Sequence, residues 1–369
     1  MIIGCPKEIK VHEYRVGLTP NSVSEYVAAG HKVLIENNAG AAIGFSNQDY
    51  ERAGASIVDK KKLFESSDMI IKIKEPQESE YKILKENTIL YTYLHLAADK
   101  NLTSILLEKN ITAVAYETIK VKGILPCLAP MSSIAGRLAV LEASKYIQKG
   151  FGGNGTLLSG VPGVPNGKVV IIGGGVVGLN AAQIAIGIGA SVTILDIDTA
   201  KLAYIDQIFN MRIHTLYSQR KNLLEAISQA DVIIGAILIP GAKAPKLIKK
   251  EDLAYIKKGS ILVDVAIDQG GCFETSKPTT HSDPIYEIDG ILHYCVANMP
   301  GAVAKTSTLA LNDSTLNFGL AIANLGIREA ALQNEGIMEG INIIDGRCTY
   351  KGVSDAFNIS YTPIKSIIT

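Results

Sequence analysis

Three glycines at short spacing follow an apolar run and have the pattern of a turn that binds the phosphates of a dinucleotide. Gly173, Gly175 and Gly178 fit G-x-G-x-x-G, and the run Val169–Ile172 before them has the composition of a strand. In such a turn the first glycine makes the bend, the second lets backbone approach a pyrophosphate, and the third lets the helix pack on the strand. A helix starting near Val176 would point unpaired N–H groups at the phosphates. The pattern predicts a dinucleotide site.

An acidic residue further along the chain strengthens this interpretation. Asp196 follows the apolar run Ser191–Leu195 and lies 23 residues beyond Gly173. A carboxylate at roughly 20 residues from the first glycine is placed to bind the hydroxyls of the adenosine ribose. It would favour NAD and repel the additional phosphate of NADP. The alternative is a turn that binds nothing, with Asp196 capping a helix; the agreement of acid, spacing and context favours NAD.

The rest of the chain alternates apolar runs with amphipathic stretches, which predicts an α/β architecture with largely parallel sheets. Short runs rich in β-branched and aromatic residues are predicted as strands. In the first part of the chain they are Ile2–Cys5, Lys32–Glu36, Met69–Ile73, Ile89–Tyr93 and Ile111–Tyr116. In the second part they are Val169–Ile172, Ser191–Leu195, Ile213–Tyr217, Val232–Gly235, Ser260–Val265 and Ile291–Val296.

Helices are predicted between these strands, and one of them has clear signals at both ends. Thr19 is placed to cap it, Pro20 suits the first helical position, and Gly30 suits the position just past the end. Two longer helical patterns run from Ser132 to Lys149 and from Lys305 to Leu325.

Length, composition and charge limit the possible functions. With 369 residues, and roughly 150 residues per domain as a guide, the chain should form two domains or three. Lys+Arg and Asp+Glu both number 36, so the formal net charge is zero. A neutral chain has no bulk electrostatic attraction to nucleic acid or to anionic lipid, and neither is expected as a partner.

One segment, Val169–Leu195, has no charged residue over 27 positions, and its hydropathy alone is typical of a membrane span. It nevertheless contains six glycines and changes its period from strand to helix to strand. A parallel strand buried on both faces is expected to be continuously apolar. A cofactor domain therefore explains the segment without lipid.

The cysteines and the first residues favour a cytoplasmic protein without a structural metal. The five cysteines are widely spaced, and no C-x-x-C or His-x-x-x-His pattern occurs. The apolar run in MIIGCPKEIK is too short for the core of a signal peptide. Cys272 could be a reactive thiol, but the favoured interpretation is a small, partly buried residue because no cationic neighbour is evident to lower its pKa.

Several longer motifs resemble those of the family of NAD-dependent alanine dehydrogenases and pyridine nucleotide transhydrogenases. Together with the glycine turn they span essentially the whole chain in order: GCPKEIKVHEYRVGLTP, KIKEP, YLHLAA, AYET, LAPMSSIAGRLA, PGAKAPKL, DVAIDQGGCFE and YCVANMPGAVAKTST. The resemblance implies two Rossmann-like domains with mostly parallel sheets, joined by long helices, with the active site in the interdomain cleft. Residues 1–128 with 307–369 would form the substrate domain, and residues 129–306 the NAD-binding domain.

The resemblance also assigns two cationic residues to the substrate. Arg15 matches the family's substrate arginine, and a guanidinium is able to hold a carboxylate with two parallel hydrogen bonds. Lys74 matches the lysine that contacts the substrate carboxylate and carbonyl oxygen, where it would stabilise developing negative charge. Without the resemblance, a surface arginine and a solvated lysine would be the favoured interpretations.

Two further residues are implied in the chemistry. His95 matches the family's catalytic histidine, and its ordinary pKa of about 6.5 suits proton transfer near neutrality. Asp268 follows an apolar strand and would help to activate the attacking water and lie near the nicotinamide ribose. Taken alone, His95 would more often be structural, and Asp268 would be a turn residue before two glycines.

The remaining cofactor contacts are implied by the resemblance alone. They comprise a bridging-helix serine, backbone N–H groups at the pyrophosphate, residues flanking the adenosine and residues lining the nicotinamide. In that order they are Ser132; Val176 and Val177; Lys201, Ser218, Ile237 and Leu238; and Val265, Ala266, Ile267 and Asp268 with Val296, Ala297, Asn298 and Met299.

The resemblance implies reversible oxidative deamination of L-alanine to pyruvate and ammonia with NAD, by an enzyme that assembles as a homohexamer. Three alternatives stay open at this point. The chain could be a transhydrogenase-type NAD(H)-binding subunit that docks on a membrane partner, an NAD-dependent dehydrogenase of another amino acid, or a non-catalytic NAD-sensing protein. The presence of Arg15, Lys74, His95 and Asp268 argues against the first and the third.

Overall fold

The computed structural model describes residues 1–237 and 244–368. Over these ranges the strands are β1 Ile2–Cys5, β2 Lys32–Glu36, β3 Ser56–Val58, β4 Met69–Ile71, β5 Ile89–Thr92, β6 Thr112–Ala115, β7 Lys168–Ile172, β8 Ser191–Asp196, β9 His214–Tyr217, β10 Val232–Gly235, β11 Ile261–Asp264, β12 Ile285–Ile288, β13 Ile291–Tyr294, β14 Ile341–Ile344 and β15 Arg347–Cys348. The α-helices are α1 Pro20–Ala28, α2 Asn47–Arg52, α3 Lys60–Ser66, α4 Glu78–Tyr81, α5 Lys100–Glu108, α6 Ala129–Tyr146, α7 Val176–Gly187, α8 Thr199–Ile208, α9 Arg220–Gln229, α10 Ala304–Leu325, α11 Ile327–Gln333, α12 Glu335–Gly340, α13 Lys351–Phe357 and α14 Lys365–Ile368.

The chain divides into two compact units, each with its own sheet. The first unit combines Met1–Met131 with Val303–Thr369, and the second is Ser132–Ala302. Both sheets are mostly parallel and are accompanied by helices, so the predicted α/β class is confirmed.

The first sheet has the strand order β15-β14-β6-β5-β4-β1-β2-β3. Strands β1 to β6 are parallel, whereas β14 pairs antiparallel with β6 and β15 antiparallel with β14. The chain proceeds in one direction from β1 to β3 and in the other from β4 to β6, so the order reverses between β1 and β4. In open α/β sheets, ligands bind beyond the carboxyl ends of the strands at such a reversal.

The second sheet has the order β12-β13-β11-β10-β7-β8-β9, and its order reverses between β7 and β10. All its pairs are parallel except β12 with β13. Strand β7 is an interior strand between β10 and β8, and its residues Val169–Ile172 are buried. The uncharged segment Val169–Leu195 is therefore strand, turn, helix and strand, as predicted. Among the described residues, no helix has the length and apolar character to cross a membrane.

Local signals predict helix α1 well. Thr19 caps it by accepting a hydrogen bond from the Ser22 amide, Pro20 is the first helical residue, and Gly30 has a left-handed φ of +85° just past its end. The local sequence does not indicate that Asn312, on α10, also binds the start of this helix. Its side-chain oxygen accepts from the Thr19 amide at 2.9 Å and from the Ser22 hydroxyl at 2.7 Å.

Several boundaries and four strands differ from the prediction. Helix α6 begins at Ala129 rather than Ser132 and ends at Tyr146 rather than Lys149. Pro130 is tolerated in its first turn because the amide hydrogen that proline lacks would have no helical partner there. Strands β3, β12, β14 and β15 were not predicted. They are short, and the last three join their sheets by antiparallel pairing that depends on tertiary contacts.

Candidate active site

The three glycines of the motif, in the turn after β7, have different surroundings. Gly173 has φ +106°, and a Cβ there would lie 2.7 Å from the Ala236 carbonyl oxygen. A Cβ at Gly178 would lie 1.9 Å from the Gly173 carbonyl oxygen. A Cβ at Gly175, in contrast, would meet nothing within 4 Å. Two of the glycines are therefore required by the fold, whereas Gly175 faces open space at the N-terminus of α7.

Asp196 ends β8 and is almost completely buried beside this turn. One carboxylate oxygen accepts from the Gly174 amide at 2.7 Å and from the Lys201 ammonium at 3.1 Å, and the other accepts from the Asp198 amide at 3.0 Å. Burial opposes ionisation, but these hydrogen bonds outweigh it and hold the pKa of Asp196 below its ordinary value. Asp196 is therefore a fixed carboxylate attached to the glycine turn.

Helix α6 approaches the start of α7 closely within the second unit. A Cβ at Gly136 would lie 2.2 Å from the Val177 carbonyl oxygen, and the Asn180 side chain donates to the Ser133 hydroxyl at 3.2 Å. Ser132 lies one turn before Gly136, so the structure places it on the helix that packs against the predicted phosphate-binding turn. Sequence reasoning missed Gly136, because a single glycine in a helical pattern gives no sign of such a contact.

The other predicted cofactor residues follow the carboxyl ends of strands in the second sheet. Val176 is exposed and Val177 buried at the start of α7, while Lys201 lies on α8. Ser218 follows β9, and its amide donates to the Asp196 carbonyl oxygen at 2.9 Å. The further residues in this position are Ile237 after β10, Val265, Ala266, Ile267 and Asp268 after β11, and Val296, Ala297, Asn298 and Met299 after β13. The prediction for Leu238 lies outside the described residues.

Asp268 is exposed on a single helical turn, Ile267–Gln269, beyond the end of β11. Beneath it, the buried Asp264 carboxylate accepts from the Ala266 amide at 3.1 Å, the Cys272 amide at 2.9 Å and the Ser276 hydroxyl. Burial, outweighing these bonds, raises the pKa of Asp264. Sequence reasoning did not single out Asp264, which ties the backbone on both sides of Asp268 together.

Cys272 is fully buried next to Asp264, with its sulfur 3.6 Å from a carboxylate oxygen. Burial and the Asp264 charge raise the pKa of its thiol well above the ordinary value. Because the thiolate is the reactive form, this environment disfavours reactivity.

In the first unit, Arg15 is buried and held by a neighbouring carboxylate. Its Nε and Nη2 donate to the two oxygens of Glu13 at 2.7 and 2.6 Å, and its Nη1 lies 3.1 Å from the Met131 sulfur. Burial disfavours both charges, but the pair keeps the pKa of Arg15 above its ordinary value and that of Glu13 below it. A buried guanidinium with a fixed orientation suits recognition of a substrate carboxylate.

Lys74 follows β4 and is half-buried. Its amide and that of Ile73 both donate to one oxygen of the buried Glu8 carboxylate, at 3.3 and 2.6 Å. The other Glu8 oxygen is 3.2 Å from the ammonium of Lys72, which is itself buried and also bonds Glu80 at 3.3 Å. Burial raises the pKa of Glu8, and the Lys72 charge opposes this rise. The ion cluster fixes the backbone from which Lys74 projects.

His95 lies beyond the end of β5 in a left-handed conformation, with φ +48° and ψ +37°. Its amide donates to the Glu117 carboxylate at 2.7 Å, and the Leu94 amide donates to the same group at 3.2 Å. The exposed imidazole is nearly parallel to the Tyr93 ring, with 6.1 Å between ring centroids. The Tyr93 hydroxyl donates to the Cys127 carbonyl oxygen, and burial raises its pKa.

The three predicted residues of the first unit are linked through neighbours that they share. The charges of Arg15 and Lys74 both stabilise the Glu13 carboxylate, and the Arg15 charge also acts on Tyr93, which stacks with His95. Sequence reasoning missed the carboxylates Glu8, Glu13 and Glu117. In the sequence these three residues are visible only as acidic positions inside the family motifs. An acidic position alone does not show whether the side chain is a buried partner or is solvated. In the part of the chain that the structure describes, no group of three His, Cys, Asp or Glu side chains is arranged to hold a metal ion.

Comparisons with known families and proteins match this architecture over its full length. The family model described as alanine dehydrogenase/PNT, N-terminal domain, matches residues 4–135, and the model of the C-terminal domain matches residues 139–351. A curated protein from Methanococcus maripaludis named alanine dehydrogenase is 50% identical over 371 residues, and one from Halomonas elongata is 51% identical over 370 residues. Each alignment covers 100% of both chains.

Two solved structures also align with the chain. A structure named L-alanine dehydrogenase matches with a TM-score of 0.94 and 47% identity, covering 97% of this chain and 99% of that one. A transhydrogenase from Sinorhizobium meliloti matches with a TM-score of 0.81 and 23% identity, covering 95% and 99%. The second likeness is one of fold alone.

Proposed function

The chain belongs to the alanine dehydrogenase/PNT family, and from that membership we propose that it catalyses the reversible oxidative deamination of L-alanine to pyruvate and ammonia with NAD. The observation that carries the proposal is the end-to-end match to curated relatives named alanine dehydrogenase. The balanced reaction is L-alanine, NAD⁺ and water to pyruvate, ammonium, NADH and a proton. The transhydrogenase likeness concerns the fold and supports no second function.

We assign substrate binding to Arg15 and Lys74. The Glu13 carboxylate holds Arg15 in place through two hydrogen bonds, so its orientation is set before a substrate arrives. A substrate carboxylate would accept paired hydrogen bonds from such a guanidinium. Lys74, fixed at its backbone by Glu8, would place an ammonium at the substrate oxygen and stabilise the negative charge that develops there.

We assign proton transfer to His95 with Asp268. NAD supplies the hydride acceptor at its nicotinamide ring when bound. Loss of hydride from the alanine Cα leaves an iminium, to which water adds before ammonia leaves. His95 would take a proton from the attacking water and return it to the departing amine, and Asp268 would assist that water. The Glu117 carboxylate fixes the backbone of His95 through two amides.

The residues of the glycine turn fit NAD as the cofactor. Gly175 leaves open space where a side chain would otherwise stand, at the N-terminus of a helix of 12 residues. Helix N-termini bind phosphates through unpaired N–H groups and the helix dipole. The turn from Gly173 to Gly178 would hold the pyrophosphate, and the fixed Asp196 carboxylate would hold the adenosine ribose.

The domain roles and the setting of the enzyme are part of the same proposal. Residues 1–128 with 307–369 would form the substrate domain, and residues 129–306 the NAD-binding domain. The enzyme would act in the cytoplasm as a homohexamer. Support for assembly comes from the family resemblance.

The direct test of this function is NADH formation with a panel of L-amino acids. Alanine should give turnover, with pyruvate and ammonia as products, and the reverse reaction should consume NADH. Clear NADH binding without turnover on alanine would refute the enzymatic proposal, and preferred turnover of another amino acid would reassign the substrate.

Replacing Asp196 tests the choice of cofactor. In Asp196→Ala, the preference for NAD over NADP should fall by about tenfold or more, because a charged hydrogen bond to ribose is worth about 1.5–3 kcal/mol. The matched control is Asp198→Ala, which removes a neighbouring carboxylate that caps α8. It should lower stability and leave the preference unchanged. Steady-state kinetics with both cofactors measure this ratio, and an unaltered ratio in Asp196→Ala would discredit the ribose role.

A further inference from the structure

The loop that carries Asp268 is fixed on its inner side by the Asp264 carboxylate. This segment, residues 265–273, is called the Asp268 loop. It contains two consecutive glycines with left-handed backbone, Gly270 at φ +86° and Gly271 at φ +75°. Asp264 collects amide hydrogens of the loop, including those of Cys272 and Phe273 at 2.9 and 3.3 Å. The carbonyl oxygens of the same loop also need partners.

A second segment runs beside the loop and supplies backbone bonds to it. The Ala244 amide donates to the Gln269 carbonyl oxygen at 3.1 Å, and the Leu247 amide donates to the Cys272 carbonyl oxygen at 2.8 Å. Ile248 then forms a parallel bridge with Phe273. Residues 244–248 therefore run beside the second half of the Asp268 loop, from Gln269 to Phe273, and Lys246 lies in the middle of this strip.

The ammonium of Lys246 bonds three carbonyl oxygens of the loop. Nζ donates to the Gly270 oxygen, to the Gly271 oxygen at 2.8 Å and to the Phe273 oxygen at 3.0 Å. A lysine ammonium has three N–H donors, so these bonds use all of them. The cation thus lies where three carbonyl dipoles converge, a position that a neutral side chain would fill poorly.

A different role for Lys246, binding an external anion, is less well supported. Its side chain also lines an open cavity of about 1100 Å³, together with Lys249, Lys250 and Lys258. The ammonium of Lys246 is nevertheless committed to the loop carbonyls, and that of Lys258 donates to the Asp289 carbonyl oxygen. The geometry favours an internal role for the Lys246 charge.

We propose that Lys246 is a positioning residue that maintains the orientation of Asp268. It fixes the Asp268 loop from the solvent side, while Asp264 fixes the loop from the buried side. This inference rests on the proposed function, because the role of Asp268 is assigned there. Both charged residues bond groups of the loop rather than the Asp268 side chain itself. Their effect is to keep an exposed carboxylate on a glycine-rich turn in one orientation, and a displacement of about 1 Å is able to cost a hundredfold in rate.

The kinetic test replaces Lys246 and measures whether the resulting loss of kcat depends on the presence of Asp268. Lys246→Gln should lower kcat by about tenfold to a hundredfold. In the Asp268→Asn background the same replacement should change kcat by less than about twofold, because residues that act through one another are not additive. Lys258→Gln is the matched control, which also removes a lysine of this cavity that bonds a carbonyl, and it should leave kcat unchanged.

Amide hydrogen exchange separates this inference from the proposed function, since it needs no turnover. Residues 266–273 should exchange faster in Lys246→Gln than in the wild type and in Lys258→Gln. If the wild type fails to oxidise alanine but exchange in Lys246→Gln is faster, the proposed function is wrong, whereas the claim that Lys246 fixes the loop is supported. Unchanged exchange, or a kcat loss that persists in full in Asp268→Asn, would overturn the positioning role.

Discussion

Replacement of His95 by alanine should abolish alanine turnover while NADH still binds with nearly wild-type affinity. A positioned general acid and base contributes about a hundredfold to ten-thousandfold to a reaction rate, and no other histidine carries the family motif. His95 is in the first unit, whereas the glycine turn and Asp196 are in the second. The measurements are kcat with L-alanine and the dissociation constant of NADH by fluorescence.

Because the backbone at His95 is left-handed, a second variant is needed beside His95→Ala. Its left-handed conformation costs about 1–2 kcal/mol for most residues, whereas asparagine adopts it more readily. His95→Asn therefore keeps the local backbone and removes the imidazole. Both variants should lose turnover to a similar degree. Recovery of activity in His95→Asn, or loss of NADH binding in either variant, would mean that the residue is structural.

A matched histidine controls for general effects of the substitution. His214 is exposed at the amino end of edge strand β9, away from the strand ends that carry the predicted cofactor residues. His214→Ala should retain wild-type kcat and NADH affinity. A comparable loss in that variant would remove the significance of the His95 result.

The second large effect should come from the glycine turn, where two replacements by alanine act differently. In Gly178→Ala the new Cβ would lie 1.9 Å from the Gly173 carbonyl oxygen, a backbone atom that moves only with the turn. Overpacking of this kind lowers the free energy of unfolding by about 1–3 kcal/mol. We expect a lower melting temperature and NADH affinity reduced by more than about tenfold.

Gly175→Ala should separate binding from stability. The residue has φ −78° and ψ −166°, which alanine adopts without strain, and its Cβ would enter open space. The melting temperature should stay unchanged, but the methyl group would occupy the place proposed for the pyrophosphate, so NADH affinity should fall. Wild-type NADH affinity in Gly175→Ala would contradict phosphate binding at this turn.

Gly187→Ala provides the control at the other end of α7. A Cβ there would also meet nothing within 4 Å, and Gly187 is the last residue of the helix, at the opposite end from the glycine turn. Because alanine is favoured over glycine in a helix by about 0.8–1.0 kcal/mol, this variant should be as stable as the wild type or more stable, with unchanged NADH affinity.

The sequence predicts those parts of the structure that depend on local chemistry. Thr19, Pro20 and Gly30 specify the ends of α1 because capping depends on neighbouring residues. The motif Gly173, Gly175, Gly178 was recognised because its spacing reflects a turn with defined backbone requirements. Strand β7, a buried interior strand of the second sheet, is recognisable as an apolar run.

Contacts between distant residues were beyond such reasoning. Asn312 completes the cap of α1 from about 290 positions away, and Glu117 holds the His95 amide from a different strand end. The short strand β14 joins the first sheet by pairing with β6, far from it in the sequence. An acidic or amide side chain in a sequence does not reveal which distant backbone groups it will bind.

The residues of the candidate site also fall into two classes: those identified from the sequence and those identified only in the folded structure. Arg15, Lys74, His95 and Asp268 were identified by resemblance to family motifs, not by periodicity or composition. The groups that orient three of them, Glu13, Glu8 and Glu117, emerged only from the folded structure. Lys246 belongs to this class as well, since its three carbonyl partners come together only after the turn at Gly270 and Gly271 has formed.

The most direct test of the central claim is to follow the hydride from alanine labelled with deuterium at Cα. If the chain oxidises L-alanine as proposed, the deuterium will appear in the reduced nicotinamide of NADH, and pyruvate and ammonia will form in equal amounts with it. The same enzyme preparation should bind NADH in a separate titration. Tight NADH binding with no transfer of deuterium from alanine would contradict the claim.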